Sequence, residues 1–139
     1  MARIPIYVNR SILRATKQYI AALQNSGLEI QAAYLYGSQA KGTAREWSDI
    51  DVAIIAPNLS GDWHDDLVHL NVLANQVDSR IEAVGYVPEN FRDESPLVWE
   101  IKTTGIPLVR TRKRTNENHR KRERRAKIRH TKQIVTQPA

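Results

Sequence analysis

Four residues of this 139-residue chain have the types and spacing that phosphate chemistry uses: Gly37-Ser38 and, after ten intervening residues, Asp49 and Asp51. Glycine lets an anion come close to the backbone, and the hydroxyl of Ser38 can donate to a phosphate oxygen. Gly42 lets the chain turn back before Trp47-Ser48. Side chains two apart on a strand share a face, so Asp49 and Asp51 point the same way. Carboxylates held that close repel unless a cation lies between them. Mg2+ suits the place, because it combines a few carboxylates with water and phosphate oxygens. Two such ions serve an in-line displacement at phosphorus, one at the attacking hydroxyl and the other at the departing pyrophosphate. These are the parts that transfer of a nucleotidyl group from ATP or another nucleoside triphosphate requires.

Such a site usually holds a third acid, and Glu82 is the candidate. It lies in Arg80-Ile-Glu-Ala-Val-Gly-Tyr-Val87, an apolar run that reads as an interior strand able to bring Glu82 to the aspartates. An ordinary exposed strand glutamate is the alternative. Lys41 and Arg45 follow the turn closely enough to steady a triphosphate and suit a solvated helical face equally well. His64 and His69 are five apart, which does not put them on one helical face, so no metal role is expected of them. Trp63 and Trp99 are expected as core anchors, and Tyr36 is expected to pack in the sheet.

The elements that must position these groups are visible as patterns. Residues 30–36 form a short aliphatic and aromatic run ending at glycine, which reads as a buried strand. Residues 49–56 read as a strand covered on both sides, with Ile50, Val52 and Ile54 opposite the acids' face. Residues 9–25 have an amphipathic period with Ile12, Ala15, Tyr19, Ala22 and Leu23 near one face, and Gly27 stops it. A second helix is predicted over 62–77, capped by Asp62 and apolar at Leu67, Leu70, Val72, Leu73 and Val77. Ser95-Pro96 opens a third, which ends by Gly105, and Ile106 to Val109 reads as a last strand. The alternation predicts an α/β sandwich, with helices against one mixed sheet and no internal repeat.

At these residues the chain resembles the minimal nucleotidyltransferase (MNT) domains of the DNA polymerase β superfamily, whose signature is Gly-Ser followed at a fixed interval by Asp-x-Asp. The match runs through Ala40-Lys41-Gly42 and Ser48 to Val52, and the resemblance covers residues 10–110. It implies a polymerase-β-like α/β fold, with Gly37, Ser38, Lys41 and Gly42 around the nucleotide. It also implies Asp49 and Asp51 as ligands of two Mg2+ ions and Glu82 as the third carboxylate, where the family more often has aspartate. Short MNT proteins are commonly encoded with a HEPN-domain ribonuclease toxin and act as antitoxins by adding AMP to one of its tyrosines. The resemblance therefore implies a toxin partner and AMP transfer to a protein hydroxyl. A binding antitoxin without catalysis and an antibiotic-modifying nucleotidyltransferase are the alternatives.

Composition sets the frame. The chain is 41% hydrophobic and has no cysteine, which excludes disulfides and cysteine-based zinc sites. No stretch approaches a membrane-spanning length and no signal-peptide core is visible, so no membrane contact and a cytoplasmic location are expected. The net charge of +6 sums two unlike parts. Residues 1–109 hold 9 Lys+Arg against 13 Asp+Glu, net −4, whereas residues 110–139 hold 12 against 2, net +10. The expected organisation is a nucleotidyltransferase domain over 1–109 and a basic, disordered tail over 110–139, with RNA contact through the tail as a secondary expectation. About 109 folded residues leave no room for the added helical domain of larger relatives, so the acceptor surface is expected from a partner.

Overall fold

Along the chain run α1 (Arg10–Asn25), β1 (Ala32–Tyr36), α2 (Ser38–Lys41), β2 (Ile50–Ile55), α3 (Trp63–Val77), β3 (Ile81–Tyr86), a 3-10 turn (Pro88–Asn90), α4 (Pro96–Thr104) and β4 (Ile106–Arg110). This computed structural model describes residues 4, 5 and 7–110. The basic segment 111–139, with its expected RNA contact, lies outside the described residues.

Each long helix begins where its cap dictates. Asn9 Oδ1 accepts from Ser11 N at 2.8 Å, Asp62 Oδ1 from Asp65 N at 3.0 Å, and Ser95 Oγ from Val98 N at 3.4 Å. Such caps satisfy helix donors that have no partner within the helix and contribute about 1 kcal/mol each.

The four strands form one mixed sheet in the order β3-β2-β1-β4. β1 runs antiparallel to both β2 and β4, while β2 and β3 are parallel and joined through α3. The period of two on β2 sorts its side chains between two cores. Ile50, Val52 and Ile54 are wholly buried with Ala33, Leu35, Ile81 and Ala83 in the cluster shared with α1 and α3. Ala53 and Ile55 pack on the other face with Tyr36, Tyr86 and the α4 residues Val98 and Ile101. Burying an aliphatic side chain of this size contributes roughly 1.5–3 kcal/mol, so β2 anchors both layers. Tyr19 locks the helical layer together. Its ring is fully buried, and its hydroxyl donates to the Leu70 carbonyl of α3 at 2.7 Å. Burial raises the pKa of that phenol, which keeps the donor protonated.

Two sequence expectations are corrected. β3 is an edge strand, not an interior one, because α3 and not a further strand covers its outer side. The backbone at that edge is satisfied by a side chain: Ala83 N donates to Asn71 Oδ1 at 2.9 Å, and Asn71 Nδ2 donates back to Ala83 O at 2.8 Å. Trp63 and Trp99 are not core anchors, being 47% and 59% exposed. Trp63 is the first residue of α3 and leans its ring on Tyr86, with centroids 5.4 Å apart, instead of entering a core. Val72 of α3 also faces outward, since Leu70 and Ala74 take the buried stripe.

Candidate active site

The acids lie at one end of the sheet because of strand register. Asp51 of β2 is opposite Tyr36 of β1 and level with Glu82 of β3. Residues level with each other on neighbouring strands share a face, and adjacent strands lie about 4.8 Å apart. Tyr36, Asp51 and Glu82 thus form one row across three strands, on the face that α4 covers. Asp49 sits just before β2, where Ile50 N donates to Arg80 O at 2.8 Å and fixes the start of the parallel pair. Arg80 is held in turn by Asp78, through Nη2 to Oδ2 at 2.8 Å and Nε to Oδ1 at 3.1 Å. That clasp holds the Asp78 carboxyl below the usual carboxylate range.

β1 delivers the Gly37-Ser38 turn to this row. Gly37 follows Tyr36 directly and has φ 70° and ψ −150°, a combination that side chains strongly disfavour. A Cβ at Gly37 would collide with the Asp51 carboxylate, so glycine is required here for space as well as for torsion. The backbone of the turn therefore lies directly against the acid. Ser38 opens α2, and Gly42 closes it in the left-handed conformation at φ 75°. On the other side of α2, the Tyr7 hydroxyl donates to Ala40 O at 2.6 Å and its ring packs on Gly42.

The electrostatics single out Asp51. Its carboxyl is pushed up to about 6, first by burial and then by the carboxylates of Glu82, Asp49 and Glu100. The Tyr36 hydroxyl is also raised, by burial first and then by Asp51, Tyr86, Glu100 and Glu82. Lys41, one turn beyond Ser38, has its Nζ 2.7 Å from Glu100 Oε1 of α4. Asp51 is thus a half-buried charge among like charges, the environment that a hard divalent cation relieves. Asp49, Asp51 and Glu82 are carboxylates, the donor type that such an ion prefers. Among the described residues, no group of three or more His, Cys, Asp or Glu side chains is gathered closely enough to ligate an ion. Glu82 lies level with Asp51 but is exposed on the edge strand.

Sequence reasoning missed Glu100. Its helix shows a buried stripe through Val98 and Ile101, and Glu100 stands beside that stripe on the flank that meets α2. No local pattern announces it, because the contact with Lys41 spans 59 residues. Tyr36, in contrast, packs in the sheet as expected.

With this geometry in place, the family is plain. The chain belongs to the polymerase β nucleotidyltransferase family, whose model (Polymerase beta, Nucleotidyltransferase) matches residues 17–114. By fold and family it is a nucleotidyltransferase, as the resemblance of Gly37-Ser38 and Asp49-Asp51 implied. No curated protein matches the chain. Among solved structures, it is similar to a chain of a toxin–antitoxin complex crystallised with AMP-PNP, at 25% identity and TM-score 0.53, over 83% of this chain and 96% of that one. A complex of a tri-AMPylated Shewanella oneidensis HEPN toxin with its MNT antitoxin is similar at 22% identity and TM-score 0.51, over 86% of this chain and 98% of that one. A Sulfolobus solfataricus protein assigned as a nucleotidyltransferase shares the fold at 14% identity and TM-score 0.56, over 74% and 84% of the two chains. No helix among the described residues is long and apolar enough to cross a membrane.

Proposed function

We propose that the protein is an antitoxin that transfers AMP from ATP to a tyrosine hydroxyl of a cognate HEPN toxin, in a Mg2+-dependent reaction. The observation that carries this reading is the seating of the Gly37 backbone against the Asp51 carboxylate, with Glu82 level with that acid on the next strand. Support for the nucleotide comes from the similar chain crystallised with AMP-PNP. Support for the acceptor comes from the AMPylated HEPN toxin held by the Shewanella oneidensis MNT antitoxin.

In this reading the Ser38 hydroxyl and the first backbone N–H groups of α2 bind the β- and γ-phosphate oxygens, and Lys41 adds a point charge. Asp49 and Asp51 would hold divalent ions, with Glu82 as the third carboxylate. Ions bound there would neutralise the triphosphate and lower the pKa of the acceptor hydroxyl. The chain's own residues then orient the reaction. The phenolic oxygen forms a bond to the α-phosphorus as the bond to pyrophosphate breaks, and the phenolic proton leaves toward Glu82. Gly37 keeps the phosphate turn close enough to Asp51 for both to act on one triphosphate. The toxin supplies the acceptor surface.

The test is the mass of a HEPN partner purified after co-expression. An added adenosine monophosphate with the wild type, lost with Asp49→Ala/Asp51→Ala, is the expected result. No adduct with the wild type, or an unchanged adduct with the double variant, would defeat the proposal. A binding antitoxin without catalysis is the second reading, favoured by the exposed, loosely grouped position of Glu82. It predicts that the double variant still neutralises the toxin.

A further inference from the structure

One ion pair joins the phosphate turn to the helix that covers the acids' face: Lys41 Nζ lies 2.7 Å from Glu100 Oε1. Lys41 and Ser38 are three apart in α2 and so lie on one side of that helix. Helical side chains lean toward the N-terminus, which brings the Lys41 stem back over the turn where Ser38 sits. The ammonium therefore ranges over the space that a triphosphate on Ser38 would occupy. Its present partner is easily exchanged. The two side chains are 46% and 36% exposed, and an ion pair so placed contributes at most about 1 kcal/mol. The fold does not depend on it, because α4 is held by the buried Val98 and Ile101 and by the Ser95 cap.

We infer, on the nucleotide-binding reading above, that Glu100 is a positioning residue that stands in for the triphosphate: it holds the Lys41 ammonium over the phosphate turn and yields it to the phosphates when ATP binds. A carboxylate oxygen and a phosphate oxygen are acceptors of the same kind for an ammonium, and the triphosphate brings the greater charge. Lysine suits the exchange, being a compact charge on a flexible stem without the fixed fork of arginine. The exchange has a cost. ATP must displace Glu100 from the lysine, so the pair lowers the affinity for nucleotide as it keeps the lysine in place.

The experiment is a double-mutant cycle on ATP affinity in the presence of Mg2+, read by calorimetric titration of the full chain. Glu100→Gln should bind ATP about threefold tighter than wild type, the worth of an exposed ion pair. Tightening is a result that damage to the fold would not give. Glu100→Asp, which keeps the charge, should retain wild-type affinity. Lys41→Met should bind more weakly, and the Lys41→Met/Glu100→Gln double variant should match it. Unchanged or weaker binding by Glu100→Gln would overturn the inference. So would an equal gain in the Lys41→Met background, which would mark simple repulsion by Glu100. A wild type that binds no ATP in any titration would instead bring down the nucleotide reading itself, and this inference with it.

Discussion

At Asp51 the chain holds a carboxylate where folding alone would not put one, half-buried, touching the Gly37 backbone and surrounded by three other acids. Its proton affinity rises to about 6 from an ordinary value of 3.8. Below the lower value the group is neutral whether the chain is folded or not, and stability is unaffected. As pH climbs through the folded value, the fold must accommodate a charge that the unfolded chain carries at no cost, and stability falls. Asp51→Asn should therefore equal wild type near pH 4 in metal-free buffer. By pH 7 it should be the more stable by roughly 1 kcal/mol, after allowance for solvent screening. Thermal melts of the pair across that range check this, and a gap that does not widen with pH would refute it. Gly37→Ala is the second residue-scale prediction. Torsion and collision together should cost roughly 1–3 kcal/mol in the melt and abolish ATP binding by titration. The chemistry of these residues was legible in the sequence, because Gly-Ser and Asp-x-Asp are contiguous signals. Glu100 was not, because only the tertiary fold brings it to Lys41, 59 residues away.

Among the elements, β3 depends most on a single neighbouring side chain. An edge strand exposes alternate backbone groups, and Asn71 satisfies both of those at Ala83 from within α3. Asn71→Ala should leave a buried donor and acceptor without partners and cost about 2 kcal/mol. The same substitution should speed amide exchange at Ala83 more than at the β2-facing positions of the strand, and a uniform change along β3 would count against the account. The starts of α3 and α4 were readable because capping is local, and Asp62 and Ser95 each accept the hydrogen bond that their position foretells. The edge position of β3 was not readable. Its apolar run is the same whether a strand or a helix covers its outer side, and strand order is fixed by pairings between distant segments. Trp63 and Trp99 were misplaced for a related reason: a large aromatic near a helix start has no local mark of which way it faces.

Over the whole molecule, the sheet divides the labour. One face carries the larger apolar cluster under α1 and α3, and the other carries the smaller cluster under α4 and ends in the row of Tyr36, Asp51 and Glu82. Stability thus rests mainly on the first face, which leaves the end of the second free to hold repelling charges. The α/β layering followed from the alternation of periods in the sequence. The row of Tyr36, Asp51 and Glu82 beside the glycine turn needed the register of three strands. The claim on which the rest depends is that this turn and these acids form a single site for ATP with Mg2+. The melting temperature in the presence of both tests it most directly. At a hundredfold excess over the dissociation constant, linkage adds about 2.7 kcal/mol to the stability of the wild type, and Asp49→Ala and Asp51→Ala should each lose that increment. No increment in the wild type, or the full increment in both variants, would contradict the account.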